Sequence, residues 1–188
     1  MRLRGEIRAD RPLVVVAIEE EAAYLGDRLP ALLTGVGKVN AAVAVSAALA
    51  TARPAEVINV GTAGSVRSGY EGTHEVSRVI QHDLDDELLQ ALTGRSFAAP
   101  IELSGDGPTL ATGDVFVSST ADRDRIGTVA DLVDMEGYAV AVAARRAGVP
   151  VRLVKHVSDT ADDGAAHSWK DSVDDAARRL AEWLADNC

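Results

Sequence analysis

Three acidic positions stand where an apolar run gives way to a polar turn: Glu21, the Asp134-Met135-Glu136 triplet and Ser158-Asp159. The last is the sharpest. Val149, Val151, Leu153, Val154 and Val157 read as a buried strand, bounded by Gly148-Pro150 on one side and a Ser/Asp/Thr cluster on the other. In open α/β sheets, ligands bind just beyond the carboxyl ends of such strands. A carboxylate there is either a turn or helix cap, or an acid aimed at a substrate. Glu19 and Glu20 carry a similar alternative, since carboxylates before a helix also favour its dipole. Gly35-Val36-Gly37 and Gly61-Thr62-Ala63-Gly64 let backbone approach a ligand closely. Phe116 adds a flat surface on which a ring could stack. Together these suit a neutral, hydroxyl-rich ligand with an aromatic ring, and a nucleoside is the obvious candidate.

Several other chemistries are excluded. Asn40 stands where a dinucleotide fingerprint needs its third glycine, and Gly35-Val36-Gly37-Lys38 lacks the spacing of a P-loop. No cofactor is expected. Cys188 is the single cysteine, which leaves no internal disulfide and no cysteine-based metal site. His74, His82, His156 and His167 show no HxxxH-type spacing, so no metal is expected either. A formal charge of −10 argues against nucleic acid and against an anionic membrane surface. No apolar run approaches the ~20 residues of a membrane span, and Arg2, Arg4, Arg8 and Arg11 leave the first residues without the apolar centre of a secretion signal. The expectation is a cytoplasmic protein acting on a small molecule.

The elements that must position these residues alternate between strand and helix. The chain is 47% hydrophobic but only 4% aromatic, so its core must be built from Ala, Val and Leu. Strands are predicted at Leu13–Ile18, Ala31–Thr34, Glu56–Val60, Glu75–Gln81, Ala130–Val133 and from Val149. Helices are predicted at Ala22–Leu25, Ala41–Thr51, Asp85–Leu92, Asp122–Thr128, Ala139–Ala147 and Ser168–Asp186. Gly61–Ser65 and Gly113–Val117 read as turns. This pattern predicts one domain over residues 1–188: a three-layer α/β/α fold with a mixed central sheet.

In order along the chain, Ala17-Ile18-Glu19-Glu20-Glu21, Gly35-Val36-Gly37-Lys38-Val39-Asn40-Ala41-Ala42, Asn59-Val60-Gly61-Thr62-Ala63-Gly64, Gln81-His82-Asp83, Thr112-Gly113-Asp114-Val115-Phe116-Val117, Asp134-Met135-Glu136-Gly137 and Val157-Ser158-Asp159-Thr160-Ala161-Asp162 resemble the nucleoside phosphorylase/nucleosidase family. The likeness is greatest to its methylthioadenosine/S-adenosylhomocysteine nucleosidase branch. It implies cleavage of an N-glycosidic bond toward a ribosyl cation. By this resemblance Asp159 is the general acid toward the purine N7, with a pKa raised by burial, and Ser158 positions it. Glu21 activates the attacking water. Glu136 accepts hydrogen bonds from the ribose hydroxyls, and its charge favours the developing cation. Met135 packs on the sugar, Phe116 stacks on the base and the Val117 backbone reads the base edge. Trp169 takes the place of an aromatic over the 5′-substituent, although its helical spacing fits a core residue equally. Met135 and Phe116 also admit a core reading. Val36 and Thr62-Ala63-Gly64, in the glycine turns, complete the implied contacts with Lys155, which replaces an Arg near the ribose. A homodimer is implied.

Related phosphorylases carry an Arg at the position of Asn59 and a basic glycine turn after the first strand. Here Glu19-Glu20-Glu21 follows that strand, and a phosphate dianion beside it would be repelled. Water is therefore the expected nucleophile. The alternatives are a purine nucleoside phosphorylase and a catalytically weak nucleoside-binding protein.

Overall fold

The apolar runs of the sequence become the inner strands of a ten-stranded sheet, described over residues 1–188 in a computed structural model. In chain order the elements are β1 (Arg2–Arg4), β2 (Leu13–Val16), β3 (Ala31–Leu33), α1 (Lys38–Thr51), β4 (Val57–Ser65), β5 (Thr73–Glu75), β6 (Arg78–Gln81), α2 (Asp86–Thr93), β7 (Ile101–Glu102), β8 (Thr109–Thr112), α3 (Thr120–Ile126), β9 (Leu132–Asp134), α4 (Gly137–Arg146), β10 (Val151–Asp159) and α5 (Ala165–Asn187). The strands follow the order β1-β3-β2-β4-β9-β8-β6-β7, with β10 on β4 and β5 on β10.

Strand β4 is the hub. Its first residues pair in parallel with β2, it runs parallel to β10 along most of its length, and Gly64-Ser65 pair antiparallel with β9. One strand thus carries the chain from one half of the sheet to the other. Side chains alternate across β2, so Leu13 and Val15 face one helical layer while Val14 and Val16 face the other. On the first face, Ala41, Ala44 and Ala48 of α1 meet Ala139, Ala143 and Ala144 of α4, small residues that let the two helices approach closely. Val45 and Val140, one from each helix, are fully buried in the same cluster. On the opposite face, Leu180 and Leu184 of α5 pack on Val14, Val16, Ile58, Val60 and Val154. Helices on both faces of a mixed sheet make the three-layer α/β/α arrangement that the sequence predicts. No helix is long and apolar enough to cross a membrane.

Three local expectations are corrected. Ala22–Leu25 is not a helix but consecutive turns, with Ala22, Ala23 and Leu25 each bonding to the carbonyl three residues back before Gly26 ends the run. Glu75–Gln81 is not one strand. The Val76 N–H goes to Leu153 and the Ser77 N–H to Pro108, so two different neighbours divide it into β5 and β6. Gly61–Ser65 is strand rather than turn: its glycines serve close approach, not reversal of the chain. The Arg-rich start, with no apolar signal, forms the edge strand β1, and Arg2 and Arg4 pair with Glu19. Glu19 therefore answers a surface charge rather than a helix dipole.

Candidate active site

The ends of β2, β4, β9 and β10 surround a cavity of ≈ 680 Å³, within the range that holds a small-molecule ligand. Around it stand Glu21, Val36, Thr62, Ala63, Gly64, Phe116, Val117, Met135, Glu136, Ser158, Asp159 and Trp169, all of them expected from the sequence. Lys155 is the exception. It is only 1% exposed and its Nζ lies 2.9 Å from Asp134 Oδ2, beneath the cavity rather than on its wall. An ammonium in so dry a place needs a counter-charge, and Asp134 is the one it meets.

Asp159 ends β10. Its Oδ2 accepts from Ser158 Oγ at 2.8 Å and its Oδ1 from the Ala161 N–H at 2.9 Å. Burial pushes its carboxyl above the usual range, and these two hydrogen bonds oppose the rise without cancelling it. The backbone works to hold this arrangement. A Cβ on Gly64 would sit 2.9 Å from Asp159 Oδ1, so β4 approaches this closely only because residue 64 is glycine. Ala161 has a φ of 50°, the one non-glycine residue in the left-handed region.

Glu21 is wired differently. Its Oε1 accepts from both the N–H and the Oγ1 of Thr62, each at 2.8 Å. Its Oε2 is buried and has no hydrogen-bond partner in the protein. A Cβ on Gly61 would lie 3.3 Å from Glu21 Oε1 and 3.4 Å from Lys155 Nζ, so this glycine makes room where carboxylate and ammonium converge.

Glu136 precedes α4, and its Oε1 accepts from the Gly37 N–H at 2.8 Å. Burial, reinforced by the nearby Asp134 carboxylate, raises its pKa to about 7, with Lys155 pulling the other way. For Lys155, burial alone would lower the pKa, but Asp134, Glu136 and Glu21 outweigh it and hold the ammonium above its ordinary value. Phe116 is 40% exposed at the mouth, and Trp169 stands half-buried on α5 with its Nε1 donating to Thr62 Oγ1 at 3.0 Å.

Sequence reasoning gave Asp134 no role of its own. Besides holding Lys155, its Oδ1 accepts from Thr112 Oγ1 at 2.6 Å and its Oδ2 from the Gly137 N–H at 2.8 Å. The signal for it was present: an Asp ending a strand three residues before a helical glycine is a capping pattern. The Gly37 bond to Glu136 joins residues 99 apart in sequence and left no local trace.

The fold and the cavity beyond its strand ends define an α/β protein with several carboxylates gathered around a ligand-sized space. The phosphorylase superfamily profile matches residues 21–104 and 76–186, and the chain belongs to that superfamily. A 5′-methylthioadenosine/S-adenosylhomocysteine nucleosidase of Bacillus cereus is 29% identical over 229 aligned positions, covering 93% of this chain and 96% of the relative. The S-adenosylhomocysteine nucleosidase of Streptococcus pyogenes, solved with 5-methylthiotubericidin, is 26% identical with a TM-score of 0.81, covering 96% of each chain. Futalosine hydrolase of Helicobacter pylori shares the fold at a TM-score of 0.83 and 21% identity, over 94% of this chain and 97% of that one.

Proposed function

We propose that this protein hydrolyses the N-glycosidic bond of an adenine-type, 5′-modified purine nucleoside. The observation that carries this reading is the pair of differently prepared carboxylates in one cavity. Burial raises the Asp159 carboxyl above its usual range, and on this reading it donates to the leaving base. Glu21 keeps one buried oxygen free to hold and deprotonate a water. Glu136, with its Oε1 fixed by Gly37, offers the remaining carboxylate oxygen to ribose hydroxyls and places charge near the forming cation. Met135 packs on the sugar, Phe116 stacks on the base, the Val117 backbone reads its edge, and Trp169 covers the 5′-group.

Water rather than phosphate is favoured because Glu20, Glu21, Asp134 and Glu136 line the cavity against a single lysine there, Lys170. A dianion would meet them with Lys155 already engaged by Asp134. Asn59 is buried and donates its amide to the Val15 carbonyl at 3.1 Å, away from any anion-binding task. The relatives' names support a methylthioadenosine- or S-adenosylhomocysteine-type substrate, and the fold shared with futalosine hydrolase supports a second one. We read the exposed Val39 and Val43 of α1, with Val115 beside the mouth, as the face of a homodimer. Light scattering on the purified protein tests that assignment.

Base release is to be measured over a nucleoside panel with and without phosphate, for wild type and Asp159→Asn. Free sugar formed independently of phosphate, and lost in the variant, is expected. Ribose 1-phosphate formed only with phosphate would instead identify a phosphorylase. Binding without turnover would identify a nucleoside-binding protein.

A further inference from the structure

Trp169, Thr62 and Glu21 come from α5, β4 and the turn after β2, and they meet in a single line of hydrogen bonds. The indole Nε1 donates to Thr62 Oγ1 at 3.0 Å, and Thr62 Oγ1 is 2.8 Å from Glu21 Oε1. The direction of this line is fixed by chemistry. An indole nitrogen can only donate, and a carboxylate can only accept. The Thr62 hydroxyl accepts from Trp169 on one lone pair, and its single proton goes to Glu21. The Thr62 N–H adds a second bond to the same oxygen. Oε1 is therefore occupied twice, and Oε2 alone is left, buried and without a partner in the protein.

We propose that Trp169 is a positioning residue for the water-activating carboxylate, acting through the Thr62 hydroxyl, and not only an aromatic wall of the cavity. The inference rests on the hydrolytic reading of Glu21. Each bond in such a line polarises the next, so the indole strengthens the Thr62 bond to the ionised carboxylate. Losing the indole N–H should therefore weaken the Thr62 bond and free the Glu21 carboxylate to rotate.

Trp169→Phe keeps an aromatic ring and deletes the donor. A lost neutral hydrogen bond corresponds to roughly a two- to tenfold effect. The expected result is kcat lower by about that factor and KM within about twofold of wild type. A role confined to lining the cavity would raise KM and leave kcat near wild type. Thr62→Val removes the relay, so adding Trp169→Phe to it should change kcat no further, whereas in Thr62→Ser the Trp169→Phe effect should persist. Equal effects of Trp169→Phe with and without the Thr62 hydroxyl would overturn the proposal.

A second measurement does not depend on turnover. Trp183 and Trp169 are the two tryptophans, so Trp183→Phe leaves Trp169 as the sole indole emitter. Its emission maximum should shift when Thr62→Val removes the hydroxyl that accepts the indole N–H, and should hold in Thr62→Ser. A wild type inactive on every nucleoside would sink the hydrolytic reading while the emission shift still reports on the relay. An active wild type with no emission shift and no kcat coupling would sink the relay alone.

Discussion

The two ends of the cavity treat a carboxylate in opposite ways. At one end, Asp159 has both oxygens engaged by its own neighbourhood, through Ser158 and Ala161, and burial still lifts its pKa. At the other, Glu21 has one oxygen held twice by Thr62 and the other left bare. On the proposed reading the first serves as proton donor and the second as base toward water. Acid and base would then be separated by local wiring rather than by residue type.

The comparison breaks most sharply through leaving-group chemistry. Asp159→Asn and Glu21→Gln should each lower base release by about 10²–10⁴-fold. A nucleoside whose base departs readily without protonation should restore much of the rate to Asp159→Asn and little to Glu21→Gln. Equal rescue of both variants would erase the distinction between the two ends. Next in size is Lys155→Met, which strands Asp134 without its buried partner. Removing one member of such a pair destabilises by about 3–5 kcal/mol, measurable by urea unfolding.

Glu136 sharpens the comparison through pH. Its pKa is about 7 in the folded protein against an ordinary 4.5, so the folded state holds the proton more tightly than the unfolded chain. This group's contribution is therefore fully present below about pH 4.5 and is lost as the pH rises through 7. Glu136→Gln should raise Tm at pH 7.5 by about 2–4 °C, equivalent to about 1 kcal/mol. The gain should shrink toward pH 5, and it should come with loss of ribose binding. A gain independent of pH would remove ionisation as its cause. Ala161→Gly is the smallest change. Relief of the left-handed backbone is offset by the freedom glycine adds to the unfolded chain, so stability should move by less than about 1 kcal/mol. Base release should stay near wild type, because the Ala161 N–H that holds Asp159 is retained.

Much of the architecture was legible because it repeats locally. The all-buried β2 reads directly as a central strand, and the helical spacing of α5 predicts the face that packs on β4 and β10. What escaped was set by partners distant in sequence. The division between β5 and β6 depends on Leu153 and Pro108 drawing adjacent N–H groups apart. The edge strand β1 has no apolar signature because its charged side chains remain exposed. The ordered motifs named the acids of the site, but they could not say that Lys155 turns away from the cavity to Asp134.

By itself the sequence determined which residue types stand at the strand ends, since hydrophobic periodicity and glycine placement are written in neighbouring positions. Tertiary structure decided what each of those groups can do. Whether a carboxylate keeps its proton, and which oxygen it leaves free, depends on burial and on donors such as Thr62, Gly37 and Trp169. Those donors lie dozens of residues away along the chain, and desolvation and hydrogen bonding act through space rather than along sequence.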